Sequence, residues 1–189
     1  TQSMKTLLKK QMAQRIDGRM TMRKEGNGDE SGFPVAAIGD INVDGLTDIA
    51  ISGMNANVGN NKIEQAGAVW IVFGGKILNG SVGIEESSQW NITGPKSGAR
   101  AGRMIGGIGD INGDGWLEIM VGVEGANGVF VWWGRDPEKR KYVSIDLSKV
   151  IFDEDQEAGL RIQGEENKEG LGQALMITTN DDSRDINGD

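Results

Sequence analysis

Short apolar runs, interrupted by glycine and acidic residues, recur along the chain. Val35-Ala36-Ala37-Ile38 and Asp48-Ile49-Ala50-Ile51-Ser52 flank one polar stretch, and Arg103–Ile108 and Glu118–Gly122 flank another. Runs of this length bounded by Gly and Asp predict strands, not helices. Gly67–Gly74 and Gly128–Gly134 are aromatic and β-branched between glycines, which predicts a further strand in each unit. Trp90-Asn91-Ile92-Thr93-Gly94 matches Leu160-Arg161-Ile162-Gln163-Gly164, with an earlier copy at Gln14-Arg15-Ile16-Asp17-Gly18. Each unit therefore offers four short strands, and the unit repeats after about 70 residues.

The polar stretch between the first two strands carries the chemistry. It reads Asp40-Ile41-Asn42-Val43-Asp44-Gly45-Leu46-Thr47-Asp48 and returns as Asp110-Ile111-Asn112-Gly113-Asp114-Gly115-Trp116-Leu117-Glu118. A third copy begins at Asp185, Asn187 and Asp189, where the sequence ends. Side-chain oxygens at positions 1, 3, 5 and 9, with glycine at 6, suit a hard cation such as calcium, which takes six to eight oxygens. The expected ligands are Asp40, Asn42, Asp44 and Asp48 with the Leu46 carbonyl, and Asp110, Asn112, Asp114 and Glu118 with the Trp116 carbonyl. Asp185, Asn187 and Asp189 would start a third site. An EF-hand would close with Glu at position 12, but Ile51 and Val121 stand there, and the flanks are strand-like. Asp-Gly and Asn-Gly also form ordinary turns. Two full copies after apolar strands favour the cation, which relieves repulsion between the acids. Glu118 is one methylene longer than Asp48 and predicts a looser second site.

Together these motifs resemble FG-GAP repeats, the β-propeller of integrin alpha chains. Residues 14–189 follow the pattern, with Phe73-Gly74-Gly75 and Trp133-Gly134 near the Phe-Gly signature. The resemblance implies an all-β propeller segment of four-stranded antiparallel blades with calcium-binding hairpin loops, in an extracellular or cell-surface setting. The expected division is residues 1–31 as the end of a preceding blade and 32–101 and 102–171 as blades with loops 40–48 and 110–118. Residues 172–189 would start a third blade. Stacked blades bury both faces of each sheet and protect its edges. Trp70, Phe73, Phe130, Trp132 and Trp133 are expected to need cover on two faces, because neighbours in a strand point opposite ways.

Composition narrows the function. The chain has 189 residues, too few for a closed ring of such blades, and is expected to be a fragment of one. Net charge is −8, which two calcium ions would halve and which disfavours a nucleic-acid partner. Histidine and cysteine are absent, which excludes within this sequence a zinc site of the usual type, a thiol nucleophile, a histidine base and disulfides. Glycine is frequent, at 30 residues, as tight loops and close packing require. Asn79 and Asn91 begin glycosylation sequons. The basic N-terminal segment and Lys139-Arg140-Lys141 are expected to be connecting and solvated stretches.

The leading expectation is a non-enzymatic propeller segment in adhesion or protein assembly. Its partners would be further blades or another subunit, with an extracellular protein or glycan as ligand. No nucleic acid is expected, and a membrane only through other parts of the parent chain. The alternative is the non-catalytic propeller portion of a secreted or surface hydrolase of the phospholipase-D type. An intracellular calcium switch is disfavoured, since the helices and the position-12 Glu are missing.

Overall fold

The computed structural model describes residues 15–17, 28–59, 63–75, 81–134, 143–148, 159–165 and 170–173. Asp185, Asn187, Asp189, Asn79, Lys139–Lys141 and the segment before Arg15 lie outside the described residues. The strands are β1 (Arg15–Asp17), β2 (Val35–Gly39), β3 (Asp48–Gly53), β4 (Ala68–Val72), β5 (Ser81–Gly83), β6 (Trp90–Thr93), β7 (Ala101–Gly109), β8 (Glu118–Val123), β9 (Gly128–Trp132), β10 (Val143–Asp146) and β11 (Gly159–Gln163). A single helical turn, α1 (Ile84–Ser87), and a 3₁₀ turn at Glu124–Ala126 are the helical elements among the described residues. The fold is all-β, as the apolar runs predict.

The first sheet runs β10-β6-β4-β3-β2 and the second β11-β9-β8-β7. β2, β3, β4 and β6 are antiparallel neighbours, and so are β7, β8, β9 and β11. The four expected strands of each unit thus lie in sequence order in one sheet. The fifth strand of the first sheet comes from the other unit: β10 pairs parallel with β6, matching Val143 to Trp90 and Asp146 to Thr93. The same move occurs upstream, where β5 pairs parallel with β1. In both units the chain leaving the aromatic strand reaches back to the last strand of the unit before it.

Alternation along β4 feeds two cores. Ala68, Trp70 and Val72 join Ile51, Ala56 and Ile84 on one face. Val69 and Ile71 point to the other, where they meet the second sheet through Ile105, Val121, Phe130 and Trp132. Trp90 sits at this seam, edge-on to Phe73 at 5.0 Å and to Trp132 at 5.1 Å between ring centroids. Burial of such a side chain stabilises by roughly 1.5–3 kcal/mol. Trp132 is buried in the seam and its neighbour Trp133 is only half-buried, as strand alternation requires. The backbones also approach closely: a Cβ on Gly107 would stand 2.6 Å from the Ile38 carbonyl oxygen. Ser52 Oγ donates to the Gly102 carbonyl at 2.6 Å across the same seam.

Asn91 lies inside β6, with paired strands on both sides, and its Oδ1 is buried. That setting differs from the exposed loop in which a sequon acts as a glycan acceptor.

Candidate metal centres

Both acidic loops join antiparallel strands at the same end of their sheets, β2 to β3 and β7 to β8. A register shift precedes each loop, after which Gly39 faces Asp48 and Gly109 faces Glu118. The backbone follows one course in both. Gly39 and Gly109 have φ of 79° and 82°, and the position-6 glycines, Gly45 and Gly115, have 87° and 89°. Position 4 is also left-handed, with Val43 at 58° and Gly113 at 76°. Glycine reaches this region freely, but a β-branched residue does so against steric resistance.

The oxygens expected to be ligands organise the loops. Asp40 accepts from the amides of Asp44 at 2.9 Å and Gly45 at 2.7 Å. Asp110 accepts from Gly113, Asp114 and Gly115 at 2.8, 3.1 and 2.8 Å. Asn42 Oδ1 takes the Asp44 amide while its Nδ2 donates to Asp44 Oδ2, and Asn112 repeats both bonds with Asp114. The other Asp44 oxygen takes the Leu46 amide, and Asp114 does the same for Trp116. These bonds turn the side chains at positions 1, 3 and 5 inward over their own loop. Carboxylate oxygens keep further lone pairs for a cation.

Position 9 ties each loop to its sheet. Asp48 and Glu118 are both fully buried. Asp48 accepts from the amides of Ile41 at 2.9 Å and Gly74 at 2.7 Å. Glu118 accepts from Ile111 at 2.7 Å and Gly134 at 3.3 Å. The glycine after each aromatic strand is thus part of the centre. Gly74 and Gly134 also permit contact, since a Cβ there would stand 2.7 Å from the Thr47 and 2.4 Å from the Leu117 carbonyl oxygen. The Phe-Gly signature marks these residues in the sequence but does not disclose this role.

Electrostatics point the same way. Burial pushes the Asp48 carboxyl above its ordinary value; the Gly74 and Ile41 amides oppose the shift, and Asp44 and Asp40 add to it. Burial likewise raises Glu118, opposed by the Ile111 and Gly134 amides and reinforced by Asp114 and Asp110. Among the described residues the ion pairs are those of Arg100 and Arg103 with Glu124, so no basic side chain of that set neutralises either loop. Each loop holds three carboxyls that a divalent cation would stabilise as anions.

In the second loop, one oxygen each of Asp110, Asp114 and Glu118 lie within 4.8 Å of one another. Glu118 belongs to this group, whereas Asp40, Asp44 and Asp48 of the first loop do not come together as closely. Such a set of oxygens suits a hard cation better than a soft or borderline metal. Neither loop brings a histidine, cysteine or other nucleophile to the cluster. Of the remaining expected ligands, Asp185, Asn187 and Asp189 lie outside the described residues. No family model matches the chain.

Proposed function

We propose that the chain is a calcium-stabilised β-propeller segment of the FG-GAP type that acts in adhesion or protein assembly outside the cell. The observation that carries the calcium reading is the duplicated centre. Two loops about 70 residues apart share one backbone course, one hydrogen-bond scheme and a buried acid at position 9. A charge-rich loop repeated with this fidelity fits a cation better than a turn, which needs neither the acids nor their inward arrangement. Asp40, Asn42, Asp44 and Asp48 would hold one ion, and Asp110, Asn112, Asp114 and Glu118 another, with the Leu46 and Trp116 carbonyls completing them. Bound calcium would offset two of the three acidic charges of the loop and fasten it to the sheet; no group in either loop is placed as a base to activate a water. The role is structural.

The propeller reading is supported by sheets in sequence order, stacked face to face, with backward pairing at each unit. Exposed Phe33 and Val35 at one side, and Leu160 and Ile162 at the other, suit further blades or another subunit. Calorimetric titration of calcium into chelator-treated protein, with melting followed in parallel, tests the metal assignment. Calcium should bind and raise the melting temperature, with magnesium far weaker. Asp44→Ala and Asp114→Ala should each remove one binding event. A melting temperature indifferent to calcium, with no heat of binding, would refute the assignment.

A further inference from the structure

The two units differ sharply just before their first strands. In the second unit, Ala99 and Ala101 are fully buried against the first sheet. The amides of Gly98, Arg100 and Ala101 donate to the carbonyls of Glu64, Gln65 and Ala66. The corresponding residues of the first unit are Asp29 and Ser31. The backbone is the same: Glu30 and Arg100 have φ of 56° and 52°. Asn55 N donates to the Asp29 carbonyl at 3.2 Å, as Gly125 N does to the Ala99 carbonyl at 2.9 Å. At this one place, therefore, a carboxylate and a hydroxyl replace two alanine methyls on an equivalent main chain.

These oxygens are not exposed to water. Asp29 is 4% exposed. Its Oδ1 accepts the Ser31 amide at 3.1 Å, the amide whose counterpart in Ala101 goes to a neighbouring carbonyl. Among the described residues its buried Oδ2 meets no hydrogen-bond donor, and neither does the buried Ser31 Oγ. Among the described residues no ion pair reaches Asp29. Ser31 Oγ packs against Gly53 and the Trp70 ring, since a Cβ on Gly53 would lie 3.1 Å from that oxygen and 2.7 Å from the ring. Gly102 and Gly172 press on the preceding unit, but among the described residues their counterpart Gly32 has no atom within 4 Å of where a Cβ would stand. A buried carboxylate oxygen without donor or counter-charge is costly, and structures rarely leave one so.

We infer that Asp29 and Ser31 form a site for a monovalent metal cation of the sodium or potassium class, separate from both acidic loops. The charge count selects the class. One carboxylate balances a single positive charge, whereas each acidic loop gathers three carboxyls for a divalent ion. The Ser31 hydroxyl supplies a neutral oxygen of the kind such an ion takes. The occupant would screen Asp29 and fill the space that methyl groups and a neighbouring backbone fill in the second unit.

The test is crystallographic, on the protein at its natural length with calcium saturating, soaked in rubidium or thallium(I) chloride. An anomalous peak in contact with Asp29 Oδ2 and Ser31 Oγ is expected. The peak should vanish in Asp29→Ala and lose occupancy in Ser31→Ala, which keeps the carboxylate should the first variant fold poorly. In solution, potassium in place of tetramethylammonium at equal ionic strength should raise the melting temperature of the wild type and not of Asp29→Ala. A lysine or arginine side chain seated on Asp29, or a site holding only water, would overturn the assignment. So would equal melting in both salts. None of these outcomes depends on the calcium loops, whose failure would be read from the calcium titration.

Discussion

Four exchanges separate the two acidic loops on one backbone course, and two of them bear on its geometry: Val43 for Gly113 at position 4 and Asp48 for Glu118 at position 9. The first exchange sets a strain. Both positions are left-handed, at 58° and 76°, and only the second loop has the residue suited to it. Gly113 also donates its amide to Asp110. The second exchange sets reach. Asp48 holds the Gly74 amide at 2.7 Å, while Glu118 holds Gly134 at 3.3 Å. The first loop is thus better fastened to its sheet but more strained within itself. The comparison teaches that local comfort and long-range anchoring are separate properties of an acidic loop, and substitution can vary each alone.

The largest effect should come from cutting the anchor. Asp48→Ala and Glu118→Ala each strand two amides at the loop base and should cost roughly 3 kcal/mol. The Asp48 variant should lose more, given its shorter bond to the aromatic strand. Denaturant unfolding in saturating calcium measures both, and equal losses would erase the difference in anchoring. Next comes metal removal. Chelation should lower stability by about 2.7 kcal/mol per site when free calcium had stood at a hundred times its dissociation constant. Asp44→Ala and Asp114→Ala should each abolish one part of that response, as melting curves with and without chelator would show.

Relieving the strain is a smaller change. Val43→Gly should stabilise by about 1 kcal/mol, and Gly113→Val should cost a similar amount. If both substitutions destabilise, position 4 is not the strained point. The smallest effect concerns pH. Without metal, Asp48 and Glu118 have carboxyls raised by burial when folded. The folded state then holds their protons more tightly than the unfolded chain. Their contribution favours folding at low pH and is lost as pH rises from the ordinary carboxylate range through the raised folded values. Calcium, by favouring the anions, should reverse that slope. The measurement is the difference in stability between wild type and Asp48→Asn/Glu118→Gln across about pH 4 to 6, with chelator and then with calcium. The same slope in both would show that the buried acids do not respond to the metal.

Much of this was legible in the chain. Glycine-bounded apolar runs marked the strands of both sheets, because periodicity and turn residues act over a few neighbours. The spacing of acids, Asn and Gly marked the loops for the same reason. Three features were not legible. The amides of Gly74 and Gly134 reach the position-9 acids from across the sheet, a distant relation that the aromatic–glycine pairs Phe73-Gly74 and Trp133-Gly134 only hint at. The left-handed backbone at Val43 runs against its own side chain and shows only by comparison with Gly113. The pairing of β5 and β10 was hidden, since Ser81-Val82-Gly83 and Val143-Ser144-Ile145-Asp146 have too few residues for a clear period.

That last pairing has a consequence for the order in which the molecule is made. The first sheet ends at β6, yet its outermost strand, β10, is encoded some fifty residues later, beyond the whole second acidic loop. A ribosome that has released β2 through β6 has therefore delivered a sheet with a bare edge. That edge stays open until the next unit has emerged and sent its strand back. Each unit is finished by its successor, so maturation runs one step behind synthesis. A nascent chain arrested with β6 clear of the exit tunnel but β10 still inside it should show the edge amides of β6 exchanging with solvent. One arrested far enough beyond Asp146 for β10 to clear the exit tunnel should show them protected.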